Sequence, residues 1–228
     1  MPKNTRAIKV TDKDKAWNKK PKPSIYRIDT IPINKTILIT CEGQTEKLYF
    51  KSFPVLGVKV EAIDLKGQSK LRLVESTQKI IESSDNEYDE IWCVFDMDVK
   101  READEFADFD NAINKALVLN YKVAYSNDAF ELWFYLHYGF SDVQNSRTFY
   151  YKELSKRFGL NYVKNGKKHG FCLKLYSLLE SDKNSSQQKA IDRAKQLFEY
   201  KQTLPYHQQN PVTKVYVLVE ELNKCFRR

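Results

Sequence analysis

The sequence predicts an α/β protein in which a small parallel β-sheet flanked by helices is followed by a mainly helical C-terminal half. Two observations support this class. From residue 33 to residue 125, short apolar runs alternate with segments whose apolar residues recur at helical spacing. After residue 126 the spacing is helical almost throughout. Alternation of strand and helix favours parallel strands joined by right-handed crossovers.

Four segments of the first half predict the strands. Ile33–Cys41 and Glu90–Phe95 are almost continuously apolar, as strands covered on both faces should be. Val58–Leu65 alternates between apolar and polar residues, and Tyr121–Tyr125 is a short fourth strand. Successive strands are separated by enough residues for a helical crossover, so all four are expected to run in the same direction.

Helices are predicted between these strands and throughout the second half. The helices of the first half are Thr45–Phe53, a stretch that ends at Ser83, and a stripe from Phe106 to Leu117. Those of the second half are Phe130–His137, Phe149–Phe158, Phe171–Leu179 and Ala190–Lys201. A last helix is expected to start at Asn210-Pro211, with Asn210 as the cap and proline in the first position.

Charge and pattern divide the chain into three expected parts. Residues 1–24 carry eight Lys/Arg and two Asp, which accounts for +6 of the net charge of +8. We expect residues 1–30 to form a flexible basic arm, which serves either to bind nucleic acid or only to keep the protein soluble. Residues 31–127 are expected to form the α/β core, and residues 128–228 a helical elaboration that packs on it.

Composition excludes several classes of protein. The 228 residues are 42% apolar and 30% charged, as in an ordinary globular chain. No apolar run approaches the roughly 18–20 residues that cross a bilayer, so we expect a soluble protein of the cytoplasm without a membrane partner. The four cysteines are isolated, which argues against a zinc knuckle or a redox pair. Since the three histidines are scattered too, any chemistry is expected to depend on carboxylates.

Carboxylates follow two of the predicted strands at their carboxyl ends. Glu42 follows the first strand, and Asp96 and Asp98 end the third, with Met97 between them turned into the core. Ligands of open parallel sheets bind at this edge. If the first and third strands are neighbours, the three carboxylates meet, and Mg²⁺ or Mn²⁺ would relieve their repulsion. The alternative interpretation of the Asp pair is an ordinary turn at the end of a strand.

Basic residues lie on both sides of the acidic centre. One group follows Asp98 directly, and the other surrounds Gly166 in an expected flexible loop. We expect both groups to hold the phosphates of a nucleic acid without reading its sequence. These residues are Lys100, Arg101, Lys164, Lys167 and Lys168.

Four motifs, in order along the chain, resemble those of the RloB family. They are Cys41–Phe50 with its Glu-Gly, Val94–Asp98 with its Asp-x-Asp, Ser126–Trp133, and Asn210–Thr213. Members of this family resemble Toprim-domain proteins, which have a small Rossmannoid parallel sheet. The resemblance implies that Glu42 acts in acid–base catalysis and that Asp96 and Asp98 hold Mg²⁺. It also implies a role in bacterial anti-phage defence, often beside an AAA or ABC-type ATPase.

The loop after the Asp pair departs from many Toprim proteins. They carry a glycine three residues after the second Asp, where this chain has Arg101 after Val99 and Lys100. The basic pair either contacts a phosphate or belongs to a reshaped loop.

Several residues of the motifs have two interpretations. Glu46 is either a further metal ligand or an acid placed favourably in the first turn of a helix. Gly43 supports the turn after Glu42. Asn127 and Glu131 either complete the site or, for Glu131, form a capping box with Asp128.

Two residues near the C-terminus and one histidine are weighed in the same way. Thr213 could offer its hydroxyl to a phosphate near a helix start, whereas Asn210 is most simply a cap. His137 lies on the aromatic stripe of its helix, which indicates a packed side chain rather than a ligand.

The function favoured by these observations is a metal-dependent nuclease that cleaves DNA or RNA. Two alternatives stay open. One is a non-catalytic nucleic-acid-binding partner of an ATPase with a degenerate metal site. The other is a haloacid-dehalogenase-like phosphatase, whose first motif Val94–Val99 also resembles and in which Asp96 would be the nucleophile and Asp98 the acid. Those enzymes usually carry the motif on their first strand, whereas two strand–helix pairs precede it here.

Overall fold

A single mixed sheet organises the part of the chain that the computed structural model describes, which is residues 35–56, 58–62, 69–97 and 103–225. Its order is β2-β1-β3-β4-β5. The strands are β1 (Ile37–Cys41), β2 (Val58–Ala62), β3 (Glu90–Asp96), β4 (Lys122–Asn127) and β5 (Val212–Thr213). The basic arm expected at residues 1–30 lies outside the described residues, and its boundary, like the one at 127/128, stays a prediction.

Strands β1 to β4 are parallel, as predicted. β1 pairs with β2 on one side and with β3 on the other, so that Cys41 lies opposite Val94. β3 pairs in turn with β4, which brings Asp96 opposite Ser126. The chain thus leaves β1 toward one edge of the sheet and later continues from β3 toward the other. A crevice therefore opens at the carboxyl ends of β1 and β3, where open α/β sheets bind ligands.

Nine α-helices surround the sheet within the described ranges, and the predicted α/β class with a helical second half is confirmed. They are α1 (Gln44–Lys51), α2 (Lys70–Glu82), α3 (Ala103–Val118), α4 (Glu131–Leu136), α5 (Arg147–Phe158), α6 (Tyr162–Asn165), α7 (His169–Ser181), α8 (Gln187–Lys201) and α9 (Val215–Lys224). A short 3₁₀ turn covers Tyr206–Gln208. None of these helices combines the length and apolar character that a membrane span requires.

The predicted start of the last helix is wrong. The two residues after Pro211 form β5, which runs antiparallel to β4 and pairs Thr213 with Ser126. Their hydroxyl oxygens lie 2.8 Å apart, and the backbone N–H of Lys214 donates to the carbonyl of Tyr125 over 2.7 Å. These pairings with β4 keep the segment extended, so α9 begins only at Val215 and Asn210 is not its cap.

Two hydrophobic clusters cover the opposite faces of the sheet. Alternate residues of β3 divide between them: Trp92 and Val94 join one cluster, and Cys93 and Phe95 join the other. The first cluster also holds the aromatic residues of α1 and α4, and the second holds the buried stripe of α3. One predicted member of that stripe, Leu117, is instead 51% exposed.

The expectations for Met97, His137 and the cysteines are confirmed. Met97 is buried in the second cluster. His137 is buried, packs edge-on against Trp133 and hydrogen-bonds through Nδ1 to the Trp133 carbonyl over 2.9 Å. All four cysteines are free thiols, and Cys41 and Cys93 are fully buried.

Candidate active site

A cavity of about 260 Å³ lies at the carboxyl ends of β1 and β3. The backbone N–H of Glu42 donates to the Val94 carbonyl over 3.0 Å, which holds the residue after β1 against β3. Glu42 and Asp96 therefore line the same cavity, as the predicted strand order requires. The other lining residues are Gly43, Gln44, Thr45, Glu46, Glu131, Arg147 and Lys167.

Glu46 folds back over the turn between β1 and α1. Its side chain is buried, and a Cβ atom added to Gly43 would lie 2.5 Å from Glu46 Oε2. No side chain at position 43 could coexist with the carboxylate in this place. Gly43 is thus required by the close approach of Glu46, since its backbone angles are ordinary extended ones.

The carboxylates raise one another's pKa. Burial raises the pKa of Glu46 to about 8, and the negative charges of Asp96, Glu131 and Glu42 add to the shift. Burial also raises the pKa of Glu131, where Asp96 adds to the effect and the cations Lys167 and Arg147 oppose it. The four carboxylates therefore form one electrostatic unit that favours either a proton or a cation.

Three cations border this unit. Lys70 Nζ lies 2.6 Å from Glu42 Oε1, and Arg147 Nη2 lies 2.9 Å from Asp96 Oδ2. Burial lowers the pKa of Lys167, but Glu131 and Tyr151 outweigh it, so that this pKa is raised overall. The cavity is consequently mixed in charge, with cations placed beside the carboxylates that the sequence predicted as ligands.

The donor chemistry of the cavity suits Mg²⁺ or Mn²⁺, because every acidic donor in it is a carboxylate oxygen. The arrangement is less complete than the chemistry. Within residues 35–56, 58–62, 69–97 and 103–225, no group of three or more His, Cys, Asp and Glu side chains is placed to hold one metal ion. The expected ligand set includes Asp98, which lies outside the described residues.

The predicted nucleic-acid-binding residues divide into three groups. Lys167 lines the cavity. Lys164 and Lys168 are exposed and do not line it. Lys100 and Arg101 lie outside the described residues. The expected flexible loop is also more ordered than predicted, since α6 occupies Tyr162–Asn165 and Gly166 is buried against the Tyr162 ring, 2.7 Å from where its Cβ would be.

The supporting residues fall in different places. Glu131 belongs to the carboxylate cavity, and since α4 begins at Glu131 with Phe130 as its N-cap, Asp128 is not the helix cap. Asn127 and Asn210 instead line a second cavity of about 900 Å³ beside the first. Thr213 is fully buried against Ser126, so its hydroxyl is used inside the sheet.

Sequence analysis missed two residues of the site, Lys70 and Arg147. Each is the first residue of its helix, α2 or α5. Helix α2 follows β2 in the chain, so the parallel topology brings its first residue to the same edge of the sheet as Glu42. That signal was available for Lys70 in the order of the elements, whereas nothing local in the sequence marks Arg147.

The fold and the cavity together define an α/β protein whose candidate active site is a carboxylate cluster at the switch point of a mainly parallel sheet. The family model described as RloB-like protein matches residues 37–222 of this chain. The chain belongs to the RloB-like family. Neither a curated protein nor a solved structure matches it.

Proposed function

We propose that this protein is a metal-dependent nuclease of the Toprim type that acts on DNA or RNA in bacterial anti-phage defence. The observation that carries the proposal is the convergence of Glu42 and Asp96, from two different strands, on one cavity that also contains Arg147 and Lys167. Carboxylates beside cations are the combination that phosphodiester hydrolysis needs: the former handle metal and protons, and the latter hold phosphate oxygens.

The metal would be held by Asp96 and Asp98, with Glu42 or Glu46 as a further ligand. Mg²⁺ or Mn²⁺ bound there polarises the scissile phosphate and stabilises charge on the leaving oxygen. The resemblance to the Toprim site and the carboxylate-only donor set support this assignment.

The chain's own side chains divide the remaining work. Glu42 takes a proton from the attacking water, and its 2.6 Å contact with Lys70 fixes the direction of the carboxylate. Arg147 presents a planar guanidinium that can hold two phosphate oxygens, and Lys167 supplies a second positive charge on the same side. Substrate would exchange the Arg147–Asp96 ion pair for an Arg147–phosphate pair, which leaves Asp96 available to the metal.

The test is cleavage of DNA, total RNA and tRNA in the presence of Mn²⁺. We expect wild type to cut at least one substrate, and Glu42→Gln and Asp96→Asn to lose activity by at least about a hundredfold, the usual contribution of a positioned acid–base group. Glu199→Gln, an exposed carboxylate of α8, is the matched control and should cleave like wild type. Equal cleavage by all four proteins would show that this cavity is not the active site.

A second function is supported by a specific observation. The pairing of Asp96 with Arg147, together with the incomplete ligand set of the described residues, also suits a non-catalytic nucleic-acid-binding partner of an ATPase. That protein would bind nucleic acid with a strong dependence on salt and with no dependence on Mg²⁺. Calorimetry of Mg²⁺ and Mn²⁺ binding separates the two functions: heat of binding in wild type that is lost in Asp98→Ala supports the nuclease.

We further propose that the protein acts in the cytoplasm beside an AAA or ABC-type ATPase. The buried free thiols of Cys41 and Cys93 support a reducing compartment. Co-purification of the ATPase encoded beside this chain would test the partnership.

A further inference from the structure

The second cavity adjoins the carboxylate cavity and shares Arg147 with it. At about 900 Å³ it is the larger of the two, and it lies within the roughly 300–1,000 Å³ of ordinary small-molecule sites. The segment before α5 forms one wall, and the 3₁₀ turn with the end of β4 forms another. No step of the proposed cleavage reaction uses this space.

The polar lining of this cavity consists mainly of neutral amides. Asn127, Asn145, Gln208 and Asn210 contribute carboxamide groups, whereas Arg147 is its only cation among the described residues. A phosphate would find a single positive charge here. Amides recognise the mixed donors and acceptors on the edge of a heteroaromatic ring, as Asn and Gln do with adenine.

The orientation of the Asn127 amide is fixed. Its Nδ2 donates to the carbonyls of Tyr206 and His207 over 3.3 and 3.0 Å, and a carbonyl can only accept. Oδ1 is therefore the remaining group, and it has no hydrogen-bond partner within the described residues; the same holds for Asn210 Oδ1. Buried acceptors without partners are costly, so the lining lacks donors that a ligand could supply.

Two rings complete the cavity. Phe106 and His207 lie with ring centroids 5.3 Å apart at an interplanar angle of 32°. Asp110 holds the histidine twice, accepting from its backbone N–H over 2.9 Å and contacting Nδ1 over 2.7 Å. Both rings line the cavity, and a fixed aromatic surface of this kind is what an unpaired base stacks on.

We propose that the second cavity binds an unpaired nucleobase of the substrate, with Arg147 holding the phosphate that leads from it to the carboxylate cavity. This inference rests on the proposed nuclease function and adds the substrate class, a strand that presents a flipped or single-stranded base. A base stacked inside a duplex cannot enter a side pocket of this kind without being extruded.

The test is binding of the four nucleoside 5′-monophosphates, and of ribose 5-phosphate as the probe without a base, by NMR titration of the full chain in EDTA. We expect at least one nucleotide to bind at least about tenfold more tightly than ribose 5-phosphate, since one base–aromatic stack alone supplies roughly that factor. Phe106→Ala should remove most of the advantage. Tyr200→Ala, an exposed aromatic residue of α8, is the matched control and should bind like wild type.

Nucleotides that bind no more tightly than ribose 5-phosphate, or equally well to Phe106→Ala, would overturn the proposal. If Phe106→Ala is poorly folded, Gln208→Ala, which changes an exposed residue, provides the second variant and should weaken nucleotide binding roughly threefold or more. Because EDTA prevents metal-dependent cleavage, binding without nuclease activity would sink only the proposed function, and cleavage without any contribution of the base would sink only the base site.

Discussion

Glu46 is the side chain whose ionisation costs the folded protein most directly. Its pKa of about 8 in the fold lies above the 4.5 of an unperturbed glutamate, because burial and the neighbouring carboxylates disfavour the charge. As the pH rises from 4.5 to 8, the unfolded chain loses this proton first, so the free energy of unfolding falls across that window. Glu46→Gln should remove the penalty and raise the free energy of unfolding at pH 8 by on the order of 1–3 kcal/mol.

Urea unfolding at pH 5 and pH 8 measures this effect. The gain from Glu46→Gln should be small at pH 5 and reach its maximum near pH 8, whereas Glu199→Gln should change neither value. A gain that is the same at both pH values would contradict a raised pKa.

Gly43 should matter only through Glu46. A methyl group at position 43 would lie 2.5 Å from Glu46 Oε2, so Gly43→Ala must turn the carboxylate out of the cavity. We expect Gly43→Ala to lower cleavage at least about tenfold without unfolding the protein. The double variant with Glu46→Gln should be no worse than the more impaired single variant, because both changes act on one group. Additive losses in this cycle would show that Gly43 has another role.

The residues of the site were predictable to the extent that they stand at the ends of strands. Glu42 and Asp96 each follow an apolar run, and parallel topology brings such positions together. Lys70 contacts a carboxylate 28 residues away, and Arg147 contacts one 51 residues away. Pairings of that range depend on how helices pack onto the sheet, which the local pattern does not contain.

Helix α4 carries a histidine whose burial links stability to pH. Burial lowers the pKa of His137 to about 4, and the nearby Arg193 adds to the shift, whereas the hydrogen bond to the Trp133 carbonyl opposes it. The unfolded chain binds this proton near pH 6.5, so stability is full above pH 6.5 and is lost as the pH falls toward 4. The loss amounts to about 3 kcal/mol for the whole window.

Thermal unfolding of wild type and His137→Gln between pH 4 and pH 7 tests this. The variant should be less stable than wild type at pH 7, because the packing against Trp133 is altered, but the gap should narrow as the pH falls. Parallel curves would mean that His137 titrates normally in the fold.

Elements were predicted best where they are long and periodic. The four parallel strands and the helices between them appear in the predicted order. The two-residue strand β5 was missed because its conformation is decided by pairing with β4, and two residues carry no period. Asn210-Pro211 has the composition of a helix start, but the tertiary contact of Thr213 with Ser126 outweighs that local preference.

At the scale of the whole molecule, the positive charge is concentrated in residues 1–24. This segment holds +6 of the net +8. If it contacts phosphates, its removal should weaken binding of nucleic acid at low salt and make the logarithm of affinity less steep against the logarithm of salt, by up to about 0.9 for each lost phosphate contact on duplex DNA.

Fluorescence anisotropy with one labelled oligonucleotide over a series of salt concentrations measures this slope. Removal of residues 1–24 should leave the thermal unfolding of the remaining chain unchanged. An identical slope for both proteins would assign the segment a solubilising role only.

The order of the strands places β2 at one end of the described sheet, opposite β5. Its residues alternate between half-buried valines and the charged pair Lys59 and Glu61, whose Nζ and Oε1 atoms lie 3.5 Å apart. Charged side chains on an outer strand make it costly for a strand of another molecule to add to it. The same pair therefore protects a concentrated solution of this protein from aggregating edge to edge, and substitutions that joined Val58 and Val60 into one uncharged run would remove that protection.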